Sequence, residues 1–412
     1  MEYCVFCSYV CLIGDLNMKK LLSFILASVL MAGVLTGCGG DTPDPEPTPE
    51  PTPKVWYQNA LTGEEQAIDY PMGYSPVAVM VNNIMSKDSY QSAWPQSGLS
   101  KADVVFEMET EGGITRYMAL FRDWTKMPVV GPIRSARDQF VQIMMPFGCL
   151  YVHDGASIYA KNMLEMYDYY DKDLQPNKGI AFRDLTEYNK GLKAKEHTEF
   201  TSGQLVDEAI NSGKYELDLH GEPQQLFEWV KYDEPARVLD GVDVSEIEWR
   251  FSNSYAAKMT YNPETNKYTK EHINLAWNFS KPLIDAGENG IPVEFDNVLI
   301  LWTQIERYPD GVLSDVSLAW GGVGYYFNGG KVEKVRWMKG QPYEKLRIVS
   351  LDGTETDVLI NTGKSYVAFV DLDYFGAYLM DGVAVDSAGD YKPVEEMPVE
   401  EGVESTDDAT VE

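Results

Sequence analysis

Several side chains between positions 82 and 154 have the types and spacing needed to bind an anion. Arg134 and Arg137 flank Ser135, which the sequence predicts to cap a helix over 135–145, with Asp138 three residues further on. The unpaired N–H groups and the dipole of a helix start attract an anion and repel guanidinium groups. An external anion at this point would therefore stabilise both arginines.

The alternative is that Arg134 and Arg137 pair with carboxylates of the protein itself, and Glu107 and Glu109 are the candidates. A spacing of two residues places these two carboxylates on one face of a predicted strand. The same spacing also suits the acid–base pair of a cell-envelope glycan hydrolase or transferase, which requires a separation of about 5–9.5 Å in one cleft. Both interpretations stay open on the sequence alone.

His153 and Asp154 follow another predicted strand and precede a helix predicted over 158–167, which Asp154 or Ser157 can cap. Open α/β sheets place ligand-binding residues at such carboxyl ends of strands. His153 is therefore a further catalytic candidate, and a structural imidazole is the alternative. The residues expected to line one ligand-binding pocket are Asn82, Asn83, Glu107, Arg116, Arg134, Ser135, Arg137, His153 and Asp154.

The sequence predicts that these residues are positioned by the strands and helices of an α+β fold with two domains. Residues 55–220 predict a mixed α/β domain, because near-continuous apolar runs such as 76–83 are typical of strands buried on both faces and alternate with helical stretches. Residues 221–390 predict a mostly antiparallel β domain. Its apolar residues recur at every second position, and turn signals such as Asn328-Gly329-Gly330 indicate hairpins.

Composition limits the partners of the chain. Its 412 residues carry a net charge of −30, which disfavours nucleic acid as a partner because phosphate binding needs clustered Lys and Arg. The four histidines have no metal-ligand spacing, and no Gly-rich phosphate loop follows a strand, so neither a metal nor a cofactor is expected. Downstream of Cys38, Cys149 is the one remaining cysteine, and its apolar surroundings predict a buried free thiol.

The first 37 residues are typical of an upstream extension followed by a bacterial lipoprotein signal peptide. Met18-Lys19-Lys20 forms a basic start, and whether Met1 or Met18 is the initiator stays open. The apolar run at 21–35 is too short to span a bilayer comfortably. It leads into Leu35-Thr36-Gly37-Cys38, which resembles a lipobox and predicts that Cys38 carries a lipid anchor in the plasma membrane, on the extracytoplasmic face.

Two further segments are expected to lie outside the folded domains. Residues 38–54 begin with Cys38 and form a linker in which proline recurs at every second position. This pattern predicts extended polyproline II. The tail at 391–412 is strongly acidic and is expected to be disordered.

Several long motifs, in order, resemble the YerB-type lipoprotein family (DUF3048). They include Pro95-Gln96-Ser97-Gly98-Leu99-Ser100-Lys101-Ala102-Asp103, Gly131-Pro132-Ile133-Arg134-Ser135-Ala136-Arg137, His153-Asp154-Gly155-Ala156-Ser157 and Gly322-Val323-Gly324-Tyr325-Tyr326-Phe327-Asn328-Gly329-Gly330. The resemblance implies a bacterial surface lipoprotein with two domains and supplies no catalytic residue. Lys270 stands where the family pattern has an arginine, and a lysine cannot make a bidentate contact.

These observations predict a binding or interaction module for an anionic envelope ligand, such as a glycan or a phosphate-bearing precursor, or for a protein partner. Two alternatives remain. One is an envelope glycan hydrolase or transferase that uses Glu107 and Glu109 or His153. The other is a scaffold for another membrane protein, which would bind through the β-rich half.

Overall fold

The structure is a computed structural model that describes residues 56–67, 75–176, 179–214, 218 and 224–385. Cys38, the linker at 38–54 and the tail at 391–412 lie outside these ranges, so the expectations for them stay predictions. Within the described ranges, no helix has the length and apolar character that crossing a membrane would require.

Short strands make up most of the described secondary structure. In the first half they are β1 Trp56–Gln58, β2 Glu65–Ala67, β3 Val77–Asn82, β4 Val104–Glu109, β5 Thr115–Phe121, β6 Leu150–Val152, β7 Asp173–Leu174, β8 Phe182–Arg183 and β9 Glu199–Phe200. In the second half they are β10 Glu246–Arg250, β11 Tyr255–Asn262, β12 Lys267–Asn274, β13 Phe279–Pro282, β14 Ile284–Asp285, β15 Ile291–Pro292, β16 Glu294–Phe295, β17 Asn297–Thr303, β18 Ile305–Arg307, β19 Ser314–Val316, β20 Gly322–Asn328, β21 Lys331–Met338, β22 Arg347–Val349, β23 Ser365–Asp371, β24 Leu379–Met380 and β25 Val383–Ala384.

Helices are short and concentrated in the first half. The α-helices are α1 Asp138–Met144, α2 Ile158–Met166, α3 Thr186–Asn189 and α4 Gly203–Asn211. Single turns of 3₁₀ helix occur at Ser89–Gln91, Leu99–Lys101, Trp124–Lys126, Met145–Phe147, Lys195–His197 and Ala286–Glu288, and a longer one at Leu372–Ala377.

One mixed sheet of ten strands contains strands from both predicted domains, in the order β22-β21-β20-β17-β23-β4-β5-β3-β6-β7. Its central strands β17, β23, β4, β5 and β3 consist of buried residues only, which agrees with their near-continuous apolar sequences. The two halves meet where β23 pairs in parallel with β4, with Tyr366 opposite Val105 and Ala368 opposite Glu107.

A second, antiparallel sheet covers one face of the first. Its order is β13-β12-β11-β10-β24-β25, with β16 also paired to β12. Trp249 and Tyr268 from this sheet share a core with Val79 and Ile300 from the ten-stranded sheet. The opposite face of the ten-stranded sheet packs against α1 and α2. Two sheets and a few helices in three layers confirm the predicted α+β class.

The helix predicted over 135–145 begins later than the sequence indicates. It starts at Asp138, and Arg137 occupies the N-cap position without a capping side-chain hydrogen bond. The preceding residues are held extended instead, because the N–H of Arg134 donates to Met80 O and that of Ala136 donates to Gly155 O. The predicted capping box of Ser135 and Asp138 is therefore wrong, and α1 does not begin between the two arginines.

Other local predictions are confirmed. Ser157 caps α2 by accepting a hydrogen bond from the N–H of Ala160. The sequence Asn328-Gly329-Gly330 joins β20 to β21 in an antiparallel hairpin, and both glycines adopt positive φ angles, of 60° and 74°. Cys149 is a buried free thiol.

A buried carboxylate from the second half fixes the turn at Gly98–Lys101 in the first half. Asp285 accepts hydrogen bonds from Gly98 N at 2.9 Å, Ser100 N at 2.8 Å and Ser100 Oγ at 2.6 Å. Gly98 has a φ of 86°, and a Cβ there would lie 2.7 Å from Val129 O, so this position requires glycine. The three hydrogen bonds to Asp285 thereby fix the backbone that carries Lys101.

Candidate functional site

The residues predicted to line one pocket lie instead in several separate groups. Most of them are buried: Asn82, Asn83, Glu107, Arg116, Arg137 and His153. Asn82 contacts the His197 ring at 3.1 Å, away from the partners of Asn83 described below. The structure therefore does not bring these side chains together around an open cavity.

The arginines form internal ion pairs, as the alternative interpretation expected, but with different acids from those the sequence indicated. Arg137 binds Glu111 in a bidentate pair at 3.0 and 2.9 Å, and Arg116 binds the same carboxylate. Arg134 pairs with Glu196 at 2.9 Å. Burial, together with the charge of Arg137, lowers the pKa of Arg116 to about 9. Glu111 was missed because it lies beyond the end of β4, in the turn that leads to β5.

Ser135 does not act as a helix cap. Its carbonyl oxygen accepts a hydrogen bond from Arg116 Nη1 at 2.7 Å, so its backbone, rather than its hydroxyl, holds the arginine cluster in place. The two arginines expected to bind an external anion are instead paired with Glu196 and Glu111 of the protein itself.

Glu107 forms the centre of a polar cluster sealed between the two sheets. Lys270 on β12 lies 3.0 Å from its carboxylate, and neither side chain is exposed to solvent. Asn83 and Thr115 donate to Glu107 Oε1 at 2.9 and 2.7 Å, and the Tyr366 hydroxyl donates to Oε2. Both carboxylate oxygens therefore have partners within the protein.

Lys270 also lies close to two tyrosine side chains, Tyr117 and Tyr366. Its ammonium contacts the Tyr117 hydroxyl at 3.0 Å and lies 5.3 and 5.9 Å from the centres of the Tyr117 and Tyr366 rings. Burial lowers the pKa of Lys270, and the charge of Glu107 opposes that shift. Burial also lowers the pKa of the neighbouring His272, which the charge of Lys270 lowers further. Because this cluster is closed to solvent, Glu107 cannot reach a substrate in this structure.

Glu109 is the second carboxylate of the hydrolase alternative, and it is also bound by other side chains of the protein. Arg307 and Ser314 from the second half bind its carboxylate, and it is 2% exposed. Burial raises the pKa of Glu109, while the charge of Arg307 opposes that rise. The two carboxylates thus have separate sets of partners, and the described residues do not form an open cleft between them.

His153 lies at the carboxyl end of β6, as predicted, but it is fully buried. Its Nδ1 is 2.7 Å from Gly155 O and its Nε2 is 2.7 Å from Asp173 Oδ1. These contacts lock the ring in place and correspond to the structural alternative for this histidine. Asp154 is directed elsewhere and pairs with Arg183 at 3.4 Å.

An open charged site lies at the amino ends of three neighbouring strands. Asp103, Lys364 and Asp296 directly precede β4, β23 and β17. Because β23 is parallel to both other strands, with Ser365 opposite Val104 and Asn297, the three charged residues lie side by side. The result is an acid–base–acid row built from both halves of the chain.

Two adjacent cavities open onto this row, with volumes of about 410 and about 320 Å³. They share Glu64, Lys101 and Asp103, and we call them together the Asp103 groove. The larger is further lined by Asn59, Glu65, Gln66, Phe121, Arg122, Asp123 and Lys126. The smaller is further lined by Thr62, Ser100, Ala102, Lys267, Ile291, Pro292, Glu294, Asp296 and Lys364. Cavities of this size accommodate small ligands.

Lys364 is the most distinctive cation in the groove. Its ammonium donates to Leu99 O and lies 5.0 Å from the centre of the Phe295 ring. Within the described ranges, no carboxylate approaches it to within 4.0 Å, whereas Lys267 pairs with Asp296 at 2.7 Å. The other two N–H donors of the Lys364 ammonium have no hydrogen bond within the described ranges.

Burial also shifts the pKa values of two groups in this groove, Lys364 and Asp103. It lowers the pKa of Lys364 to about 7, although Asp103, Asp285 and Asp296 favour its charged form. Burial raises the pKa of Asp103 to about 6, against a hydrogen bond from the N–H of Arg122. Perturbed groups that line a cavity are typical of functional sites.

Sequence reasoning missed this groove because it followed residues at the carboxyl ends of strands. The available signal was a charged residue directly before each of three buried strands: Asp103 before Val104, Asp296 before Asn297 and Lys364 before Ser365. The described residues contain no group of three or more His, Cys, Asp or Glu able to hold a metal ion.

Comparison with known proteins agrees with this two-part construction. Residues 61–216 match the N-terminal domain of a protein family of unknown function, DUF3048, and residues 247–367 match its C-terminal domain. The chain is 31% identical over 265 residues to "Putative lipoprotein YerB" of Bacillus subtilis (strain 168), covering 64% of this chain and 72% of that protein. The chain belongs to the DUF3048 family.

A solved structure supports the same relationship. The crystal structure of YerB from Bacillus subtilis matches with a TM-score of 0.61 and 26% sequence identity, covering 79% of this chain and 99% of that one. The DUF3048 protein described here is thus a member of a lipoprotein family, as the motifs indicated. Both of its matched domains contribute to the Asp103 groove and to the Glu107–Lys270 pair.

The buried pair makes a prediction for stability. We expect Lys270→Met to lower the free energy of unfolding by about 3–5 kcal/mol, because it leaves the Glu107 carboxylate buried without its counter-charge. Adding Glu107→Gln should restore most of that loss, since the double variant no longer buries an unpaired charge. Urea unfolding followed by circular dichroism measures both changes.

The matched control is Lys190→Met, which removes a lysine that is 58% exposed and paired with Glu187. It should change stability by no more than about 0.5 kcal/mol. A Lys270→Met variant as stable as the control would show that the buried pair does not contribute as described.

Proposed function

We propose that this DUF3048 protein is a lipid-anchored, extracytoplasmic binding module that takes the anionic group of an envelope ligand in the Asp103 groove. The observation that carries the proposal is Lys364, whose ammonium lines a cavity and has two N–H donors without a hydrogen bond within the described ranges. The lipoprotein relationship and the Cys38 motif support a location at the outer face of the membrane. A protein partner and a scaffold role remain further predictions.

The charges of the groove restrict the class of ligand. Lys364 and Lys101 can bind a phosphate or carboxylate, because Lys101 has only a loose contact of 3.8 Å with Glu288. Glu64 and Glu294 line the same smaller cavity and can accept hydrogen bonds from hydroxyl or amino groups. A small polar ligand with one anionic group and several donors, such as a sugar phosphate or polyol phosphate, fits this pattern.

Binding is favoured over glycan hydrolysis by the placement of the catalytic candidates. Glu107 and His153 are fully buried and bound to other groups of the protein, and Glu109 is bound to Arg307. The anionic ligand is also better placed in the groove than at the arginines, since Arg137 and Arg116 already share Glu111.

A direct test uses glycerophosphoglycerol, a phosphodiester, with glycerol as the uncharged control. We expect calorimetric titration to show binding of the phosphodiester and none of glycerol. At pH 5.5, where Lys364 is charged, Lys364→Met should weaken binding by about tenfold or more, because charge-assisted hydrogen bonds to the phosphate are lost. Lys190→Met, which removes one exposed lysine outside the groove, should bind as the unchanged protein does.

Equal affinity of the Lys364→Met variant and the unchanged protein would contradict the proposed site. Absence of any phosphodiester binding at millimolar concentration would contradict the anionic class of ligand.

Binding should also depend on pH in a defined direction. Lys364 loses its proton as the pH rises through about 7, and Asp103 gains negative charge as the pH rises through about 6. Both changes weaken the attraction for an anion, so affinity for the phosphodiester should fall between pH 5.5 and pH 8.5. The ligand keeps a constant charge in this range, so the slope reports on the protein. Affinity that rises with pH would overturn this assignment.

A further inference from the structure

An exposed tryptophan marks a second surface that the Asp103 groove does not use. Trp320 is 82% exposed and lies in the short turn between β19 and β20. It lines a cavity of about 360 Å³, and the adjacent Ala319 lines both this cavity and another of about 630 Å³. A large aromatic side chain exposed beside two cavities offers an apolar face to a ligand.

The turn that carries Trp320 is rigid. Its neighbour Leu318 is 2% exposed, and the N–H of Ser317 donates to Gln304 O at 3.0 Å. Gly321 has a φ of 71°, and a Cβ there would lie 2.5 Å from Trp337 O, so the chain is confined just after the tryptophan. Trp320 is therefore presented on a fixed backbone, which reduces the entropy cost of binding.

The cavity beside Trp320 has the chemistry of a sugar site. Its wall includes the amides of Gln142 and Gln304 and the carboxylates of Glu306 and Asp315. Gln304 Nε2 donates to Glu306 Oε1 at 2.8 Å. The remaining donors and acceptors of these planar groups can hydrogen-bond to adjacent hydroxyls, while the indole offers an apolar face for the C–H face of a pyranose ring. The described residues that line this cavity include two acids and no cation, which disfavours an anionic ligand.

We propose that Trp320 and this cavity form a binding site for an uncharged oligosaccharide, separate from the Asp103 groove. A protein partner is less favoured, because four of the nine residues that line this cavity carry amide or carboxylate groups, which suit the hydroxyls of a sugar.

The test titrates the whole protein with N-acetylglucosamine tetrasaccharide, followed by calorimetry and tryptophan fluorescence. We expect binding that Trp320→Ala weakens by about tenfold or more and that Trp320→Phe partly retains. Trp277→Ala is the matched control, because Trp277 is also exposed, at 47%, and does not line this cavity. It should leave saccharide binding unchanged.

Two readouts separate this site from the first. Trp320→Ala should keep its affinity for glycerophosphoglycerol, and dextran sulfate should not compete with the tetrasaccharide. Equal saccharide binding by Trp320→Ala and the unchanged protein, or no binding by the unchanged protein at millimolar concentration, would overturn the proposal. Preferential binding of dextran sulfate would overturn the uncharged class of ligand.

Discussion

The ion pair between Glu107 and Lys270 has no access to water. Other side chains of the protein must therefore supply the hydrogen bonds that water would otherwise make. Removing two charges from solvent costs several kcal/mol for each ion unless good geometry and further hydrogen bonds compensate. Here Asn83, Thr115 and Tyr366 donate to the carboxylate. Glu107 and Asn83 come from the first matched domain, and Lys270 and Tyr366 from the second. The compensation is therefore complete only when both domains are folded and packed together.

This constraint explains why the buried polar residues and the proposed binding groove are separated. Side chains near the sheet centres and at the carboxyl ends of strands are engaged within the protein: Asn83 with Glu107, Arg137 with Glu111 and His153 with Asp173. Charged residues that line the groove directly precede strands. Asp103 and Lys364 lie at such positions, at the junction of β4 and β23, where both domains line one groove.

Much of the fold could be predicted because it follows from local patterns. Apolar runs predicted the buried strands, and Gly-rich turns predicted the hairpins, including β20–β21. The α+β class followed from the change in periodicity along the chain. The site could not be predicted in the same way, because it depends on contacts between distant residues. Glu111 pairs with Arg137 only after the turn beyond β4 is formed, and Lys270 meets Glu107 across two sheets. The parallel register of β4 and β23, which aligns Asp103 with Lys364, has no signal in the sequence of either strand.

We infer that the two matched domains are coupled through the shared sheet and the buried pair at their junction. Differential scanning calorimetry of the protein tests this coupling. We expect one transition, with equal calorimetric and van't Hoff enthalpies, because neither domain can satisfy the buried charges alone. Two resolved transitions, one for residues 61–216 and one for residues 247–367, would contradict it.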